Sequence, residues 1–170
     1  MNKRASLSRF VVTAALISAA YAVLTYVSAT LGLAYLGVQF RLSEALNILA
    51  VFTPAAVPGL AIGCVIGNLG SPLGIIDVIV GTLATLLSAV SIRIVARVCK
   101  KTTPFLSIIL STLFNAILVG LEIVWLLGDS FTLVAFLVIA LQVAIGEIVV
   151  CSVLGLPLYY GLKKQASRLF

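Results

Sequence analysis

Apolar residues run in long blocks along the chain, with polar residues confined to the gaps and to a few isolated positions inside the blocks. The first block, residues 10–30, is about the roughly 20 residues that a membrane-spanning helix needs, longer than the roughly 7 to 15 residues of a secretory signal core. Two shorter blocks follow, residues 42–54 and 59–69, bounded by Pro54, Pro58 and Gly59 and then by Gly70, Ser71 and Pro72. Longer ones occupy residues 73–96, 104–127 and 131–162. At about 1.5 Å per residue each short block falls below the roughly 30 Å hydrocarbon core, so the pair reads either as one kinked span or as two short ones.

Basic residues decide between these readings. They cluster at Lys3, Arg4 and Arg9, at Arg93, Arg97, Lys100 and Lys101, and at Lys163, Lys164 and Arg168. If residues 42–70 cross twice, all three clusters fall on one side, the cytoplasmic side by the positive-inside rule, and only Arg41 lies outside. Fusing the short blocks splits the clusters between the two faces. The expected architecture is therefore an all-α integral membrane protein, one six-helix membrane domain over residues 1–170. Both termini are expected to be cytoplasmic, and the second and third helices short. Such Pro- and Gly-bounded segments are tolerated where protein or a water-filled cavity covers them.

Composition supports the class: 62% of residues are hydrophobic and 9% charged, against roughly 25% charged in soluble domains. The net charge of +6 does not imply nucleic acid, because the basic residues sit between apolar blocks without interleaved stacking aromatics. Cys64, Cys99 and Cys151 stand singly, without metal-ligand spacing and without any His, and read as small apolar packing residues. No metal and no cofactor are expected, and intramembrane enzyme chemistry has few possible players.

The polar positions inside the blocks carry the functional reading. Within VQFRLSEALNILAVFTPAAVP, Arg41, Glu44 and Asn47 recur every third residue and line one face of a short helix. They form either an Arg41–Glu44 ion pair anchoring the helix end or part of a polar cavity. Under the six-span topology Gln39, Arg41, Glu44 and Asn47 lie near the outer surface. Asn68 then sits at the outer end of helix 3, Asp77 early in helix 4, Glu122, Trp125 and Asp129 at the outer end of helix 5, and Gln142 in the outer half of helix 6. Asn115, seven residues before Glu122, extends a stripe toward the midplane. Glu147 lies deeper with no obvious local cation. Asn68 and Asp129 also suit turn or helix-end positions, Asp77 a helix cap, and Trp125 an interfacial anchor. The candidate solute-binding set is Arg41, Glu44, Asn47, Asp77, Asn115, Glu122, Trp125, Gln142 and Glu147. Its acceptors outnumber its cation, so a cationic or donor-rich solute is favoured over an anion. Phe40, Trp125 and Phe131 could stack on a planar ring.

Helix 1 carries Ala14, Ala15, Ser18, Ala19, Ala20 and Ala22, small residues of the kind that let another helix approach closely. Three segments resemble the queuosine-precursor transporter (QueT) family, substrate-binding S components of energy-coupling factor (ECF) transporters. They are R-x-S-E-A-L at 41–46, F-T-P-A-A-x-P-G-L at 52–60 and G-x-I-D-x-I-x-G-T-L-A-T at 74–85. The rest of the chain agrees in length and layout. The resemblance implies six helices and an outward-facing pocket built from the first loop and helices 4 to 6. It implies that Ala15 and Ala19, with Ala22 beside them, dock on a membrane coupling subunit driven by two cytosolic ATPases. The chain itself has no G-x-x-x-x-G-K-[ST] loop. The implied solute is a 7-deazaguanine precursor of queuosine such as 7-aminomethyl-7-deazaguanine. An S component for another vitamin, such as riboflavin or thiamine, and a self-sufficient secondary carrier of a small cationic solute are the alternatives.

Overall fold

The computed structural model of the chain describes residues 3–34, 38–99, 102–127 and 131–165, which are helical with no strand among them. Helix α1 spans Lys3–Thr30. A 3-10 helix, Leu42–Val51, precedes α2 at Ala56–Asn68. Helices α3, Ile75–Val98, and α4, Thr103–Leu127, follow. Helix α5, Leu133–Val150, continues through a π turn at Cys151–Gly155 into α6, Leu156–Lys163. Four stretches are long and apolar enough to cross a membrane: Ser6–Thr30, Ile75–Val98, Thr103–Leu126 and Leu133–Lys163. The 3-10 helix and α2 are shorter apolar helices. Lys100, Lys101, Asp129 and Arg168, weighed above for topology or turns, lie outside the described residues.

Local chemistry sets the helix starts. Pro104 occupies the first turn of α4, where its missing N–H costs nothing, and the Thr132 hydroxyl accepts the Ala135 N–H to cap α5. Helices α1 and α2 run parallel, packed through a glycine ridge at Gly59, Gly63 and Gly67. Gly59 faces Ala14 and Ile17, Gly63 faces Ser18 and Tyr21, and Gly67 faces Thr25. A Cβ on Gly63 would lie 2.7 Å from the Tyr21 Cβ and 2.8 Å from the Ser18 carbonyl oxygen. Lipid supplies no hydrophobic drive for helix association, so this close approach supplies dispersion instead. On α1, Ala15 and Ala19 are exposed, whereas Ala22 is buried and turned into the bundle.

The 3-10 helix lies at the centre and touches every other described helix. Seven of its residues are buried, Ser43, Glu44, Ala45, Asn47, Ile48, Leu49 and Ala50. At its C-terminal end Arg93 Nη1 donates to the Val51 carbonyl (3.0 Å), placing a cation where the last carbonyls of a helix lack partners. Phe52 stacks on Tyr159 at 5.3 Å, and Lys163 Nζ lies over that ring. The other end of the bundle holds the segment before the 3-10 helix. There the Phe40 N–H meets the Leu33 carbonyl and the Leu42 N–H meets Ser28 Oγ, each at 2.9 Å. This segment presses into a notch on α5: a Cβ on Gly146 would sit 1.9 Å from the Gln39 carbonyl oxygen.

Both glycines abut backbone atoms, which cannot swing aside. Gly63→Ala and Gly146→Ala should each lower stability by about 1–3 kcal/mol, the usual cost of overpacking. Gly161→Ala in α6, with nothing within 4 Å of the added Cβ, should leave it unchanged or slightly raised. Thermal melts of the purified variants in one detergent check this, and equal midpoints for all three would contradict the packing described.

Candidate functional site

Glu44 is the hub of a buried polar network. The Tyr21 hydroxyl donates to Glu44 Oε1. Asn47 Nδ2 donates to Glu44 Oε2 at 2.7 Å, and Asn115 Nδ2 reaches the same oxygen at 3.5 Å. Asn47 also donates to Ser111 Oγ (3.0 Å), tying the 3-10 helix to α4. Tyr21 lies 3.4 Å from Thr85 of α3, whose hydroxyl donates to Cys64 Sγ of α2 at the same distance. On the α5 side the Cys151 thiol lies 3.5 Å from Glu147 Oε2 and 3.7 Å from the Glu44 carbonyl oxygen. Five helices and the π turn thus meet around one carboxylate.

Arg41 reaches across to α3. Its Nη2 lies 3.3 and 3.2 Å from the two oxygens of Asp77, and its Nε donates to the Ala34 carbonyl at 3.0 Å. The partner is thus a residue of another helix rather than Glu44 alone, and Asp77 is wholly buried in the pair instead of serving as an exposed cap. Asn68, the last residue of α2, donates to the Asp77 carbonyl at 3.0 Å and joins the pair to the helix 2–3 turn. Among the described residues four carboxylates are buried, Glu44, Asp77, Glu122 and Glu147, against one guanidinium, Arg41. Buried charge is retained only when paired or when a ligand completes it. Glu122 is the clearest case, for both its oxygens are buried without a partner among the described residues, as are Asn47 Oδ1 and Gln39 Nε2. It lies two turns, about 10 Å, along α4 from Asn115.

The structure therefore brings Arg41, Glu44, Asn47, Asp77, Asn115 and Glu147 into contact with a single buried cluster, with Glu122 buried farther along α4. Trp125 and Phe131 do not join it, being 68% and 59% exposed, and Gln142 is half-buried on α5 without a bond to the cluster. Glu44 also lies deeper than a near-surface position: it bonds Tyr21, nine residues and about 13 Å from the end of α1.

Sequence reasoning missed Tyr21, Ser43, Thr85 and Ser111. A signal existed for part of this set: Thr103, Ser107, Ser111 and Asn115 recur every fourth residue on α4, and all are buried. Tyr21 was masked by the alanines around it. Cys64 and Cys151, expected as apolar filler, are buried but lie against polar groups, because a thiol both accepts and weakly donates hydrogen bonds. A void of about 10 Å³ lies among Glu44, Asn47, Ser107, Ser111, Cys151 and Gly155. That is room for about one water molecule, so a ring-sized solute requires these elements to part.

The sequence profile of the QueT transporter family matches residues 11–164. A curated relative, the queuosine precursor transporter QueT of Lactococcus lactis subsp. cremoris (strain MG1363), is 41% identical over 76 residues. That match covers 45% of this chain and 44% of the relative, so the similarity spans less than half the length of either protein. No solved structure matches. With a family match over nearly all of a chain that carries several membrane-length helices, this multi-pass membrane protein belongs to the QueT transporter family.

Proposed function

We propose that the chain is the solute-binding S component of an ATP-driven ECF importer in a bacterial plasma membrane. Its solute is a queuosine precursor such as 7-aminomethyl-7-deazaguanine. The observation that carries this reading is the excess of buried acceptors over buried cations around the central 3-10 helix, in a chain of a transporter family. A carboxylate accepts the paired N–H groups of a guanine-like edge, and a second carboxylate neutralises an ammonium group. Arg41 and Asp77 hold the segment before the 3-10 helix against α3, Glu44, Asn47, Asn115 and Glu147 contact solute, and Glu122 offers two unoccupied acceptors. Trp125 and Gln142 keep the flanking roles of interface anchor and site margin.

Residues 1–170 form one six-crossing domain in this reading. Arg93, Arg97 and Lys163 lie at the bundle end opposite the Arg41–Asp77 pair, which supports cytoplasmic termini. The coupling subunit and two cytosolic ATPases supply energy, and Ala15 and Ala19 form the exposed docking face on α1, with the buried Ala22 supporting it from within. Because the void among Glu44, Asn47, Ser107, Ser111, Cys151 and Gly155 is small, solute entry selects a more open state of the bundle. A self-sufficient carrier of a cationic solute is the second reading, favoured by the buried Glu147; uptake by this chain expressed without partners distinguishes it.

Glu122→Gln should weaken binding of the 7-deazaguanine by about 1.5 to 3 kcal/mol, the worth of a hydrogen bond to a charged group. Calorimetry of the purified chain measures it, and unchanged affinity removes Glu122 from the site. Ala15→Trp or Ala19→Trp should leave solute affinity intact and abolish uptake in cells carrying the coupling subunit and ATPases. Loss of binding with complex assembly preserved would place those residues elsewhere in the mechanism.

A further inference from the structure

Glu44 and Glu147 are both buried, and the Cys151 thiol lies between them, 3.5 Å from Glu147 Oε2 and 3.7 Å from the Glu44 carbonyl. Their surroundings differ. Glu44 receives hydrogen bonds from Tyr21, Asn47 and Asn115, three neutral donors that replace part of the hydration its carboxylate loses on burial. Glu147 faces a thiol, a weak donor. The titratable and charged groups around the two are Tyr21 of α1, Cys64 of α2, Cys151 of the π turn, and Arg41, which Asp77 of α3 engages. Glu122 of α4 lies beyond Asn115. Asp77 offsets the guanidinium, and Tyr21 donates its proton to Glu44. An ionised Glu147, met only by that weak thiol donor among the described residues, would leave an uncompensated negative charge inside the bundle, which is costly.

We infer that Glu147 holds a proton in the empty site and gives it up to solvent when an ammonium-bearing solute binds, so that solute cation and proton exchange one for one. The inference rests on the solute-binding role proposed above and deepens it: the site distinguishes solutes by charge as well as by ring shape. The balance is simple. The solute enters with its ammonium intact, the Glu147 carboxyl loses H⁺ to bulk water, and the Glu147 carboxylate then faces the one positive group. Because the bound state holds one proton fewer, affinity for the cation rises with pH while Glu147 remains protonated in the empty site. A neutral analogue with a nitrile in place of the aminomethyl group gains nothing from the exchange.

The test is calorimetric titration of the full chain in detergent with 7-aminomethyl-7-deazaguanine, in buffers of different ionisation enthalpy and at about pH 6 and about pH 8. The expected result is release of about one proton per solute bound, with an affinity that climbs by up to about tenfold per pH unit. The nitrile analogue should bind without proton release. Glu147→Gln should abolish the release and weaken the cation by about tenfold or more, removing its preference over the nitrile analogue. Loss of the release in Glu122→Gln but not in Glu147→Gln would overturn the assignment to Glu147. The wild-type measurement stands alone if Glu147→Gln does not fold: tight binding with no buffer dependence overturns the exchange and leaves the proposed solute standing. No binding of either compound at any pH overturns the solute assignment and the exchange together.

Discussion

A helix with three polar side chains in a row cannot sit inside a membrane protein unless each side chain is met by a neighbour. In a 3-10 helix residues three apart eclipse one another, so Glu44 and Asn47 share one edge of the Leu42–Val51 segment, with Arg41 standing at its N-cap. Different helices answer that edge. Asp77 of α3 takes Arg41, Tyr21 of α1 and Asn115 of α4 take Glu44, and Ser111 of α4 takes Asn47. The short central segment therefore fixes the relative positions of α1, α3 and α4, which dispersion between lipid-like side chains would leave free to slide. Removing one member of the Arg41–Asp77 pair leaves its partner charged and buried, a cost of about 3–5 kcal/mol.

The polar interior divides into a part that holds the fold and a part left open. Arg41, Asp77 and Asn68 bond one another or backbone carbonyls and join α3 to the segment before the 3-10 helix and to the end of α2. Glu122, Asn47 Oδ1 and Gln39 Nε2 retain capacity that no described protein group uses. Unmet polar atoms at that depth lower stability by about 1–3 kcal/mol each, and a binding protein recovers this when its solute supplies the missing partners. The void of about 10 Å³ beside Glu44 and Asn47 has room for about one water molecule, so this arrangement is closed to anything larger. Affinity is then reduced by whatever free energy separates the closed state from the open one.

Much of this was legible in the sequence, and the failures have physical causes. Long apolar blocks and basic gaps announce a polytopic helical membrane protein, and the every-third-residue spacing of Arg41, Glu44 and Asn47 marks the central element. The same spacing read as α-helical, however, suggests a local Arg41–Glu44 pair and a shallow depth. Arg41 instead stands in extended conformation at the N-cap of the 3-10 segment and pairs with Asp77, 36 residues away. Trp125 was placed by its distance along the chain, but direction around α4 decides burial and turns it outward. The glycine ridge at Gly59, Gly63 and Gly67 was present as a four-residue repeat and identifies the inward face of α2. The converse holds for Tyr21, whose partner Glu44 lies 23 residues away; no local pattern joins such a pair.

Backbone irregularity supplies an independent argument for where function resides. A ten-residue 3-10 helix, a π turn at Cys151–Gly155 and a notch at Gly146 that admits the Gln39 carbonyl all occur within one small region. Each sacrifices ideal α-helical hydrogen bonding or packing, and runs of 3-10 helix longer than three or four residues are uncommon. Inside a membrane such geometry survives only where protein buries it or a cavity needs it. Structural economy alone would place regular helices there, since regular helices satisfy their own backbones. The three departures instead bring Glu44, Cys151 and Gly155 to the wall of one void and seat Gln39 against α5. Glu44 stands among them, bonded to Tyr21, Asn47 and Asn115.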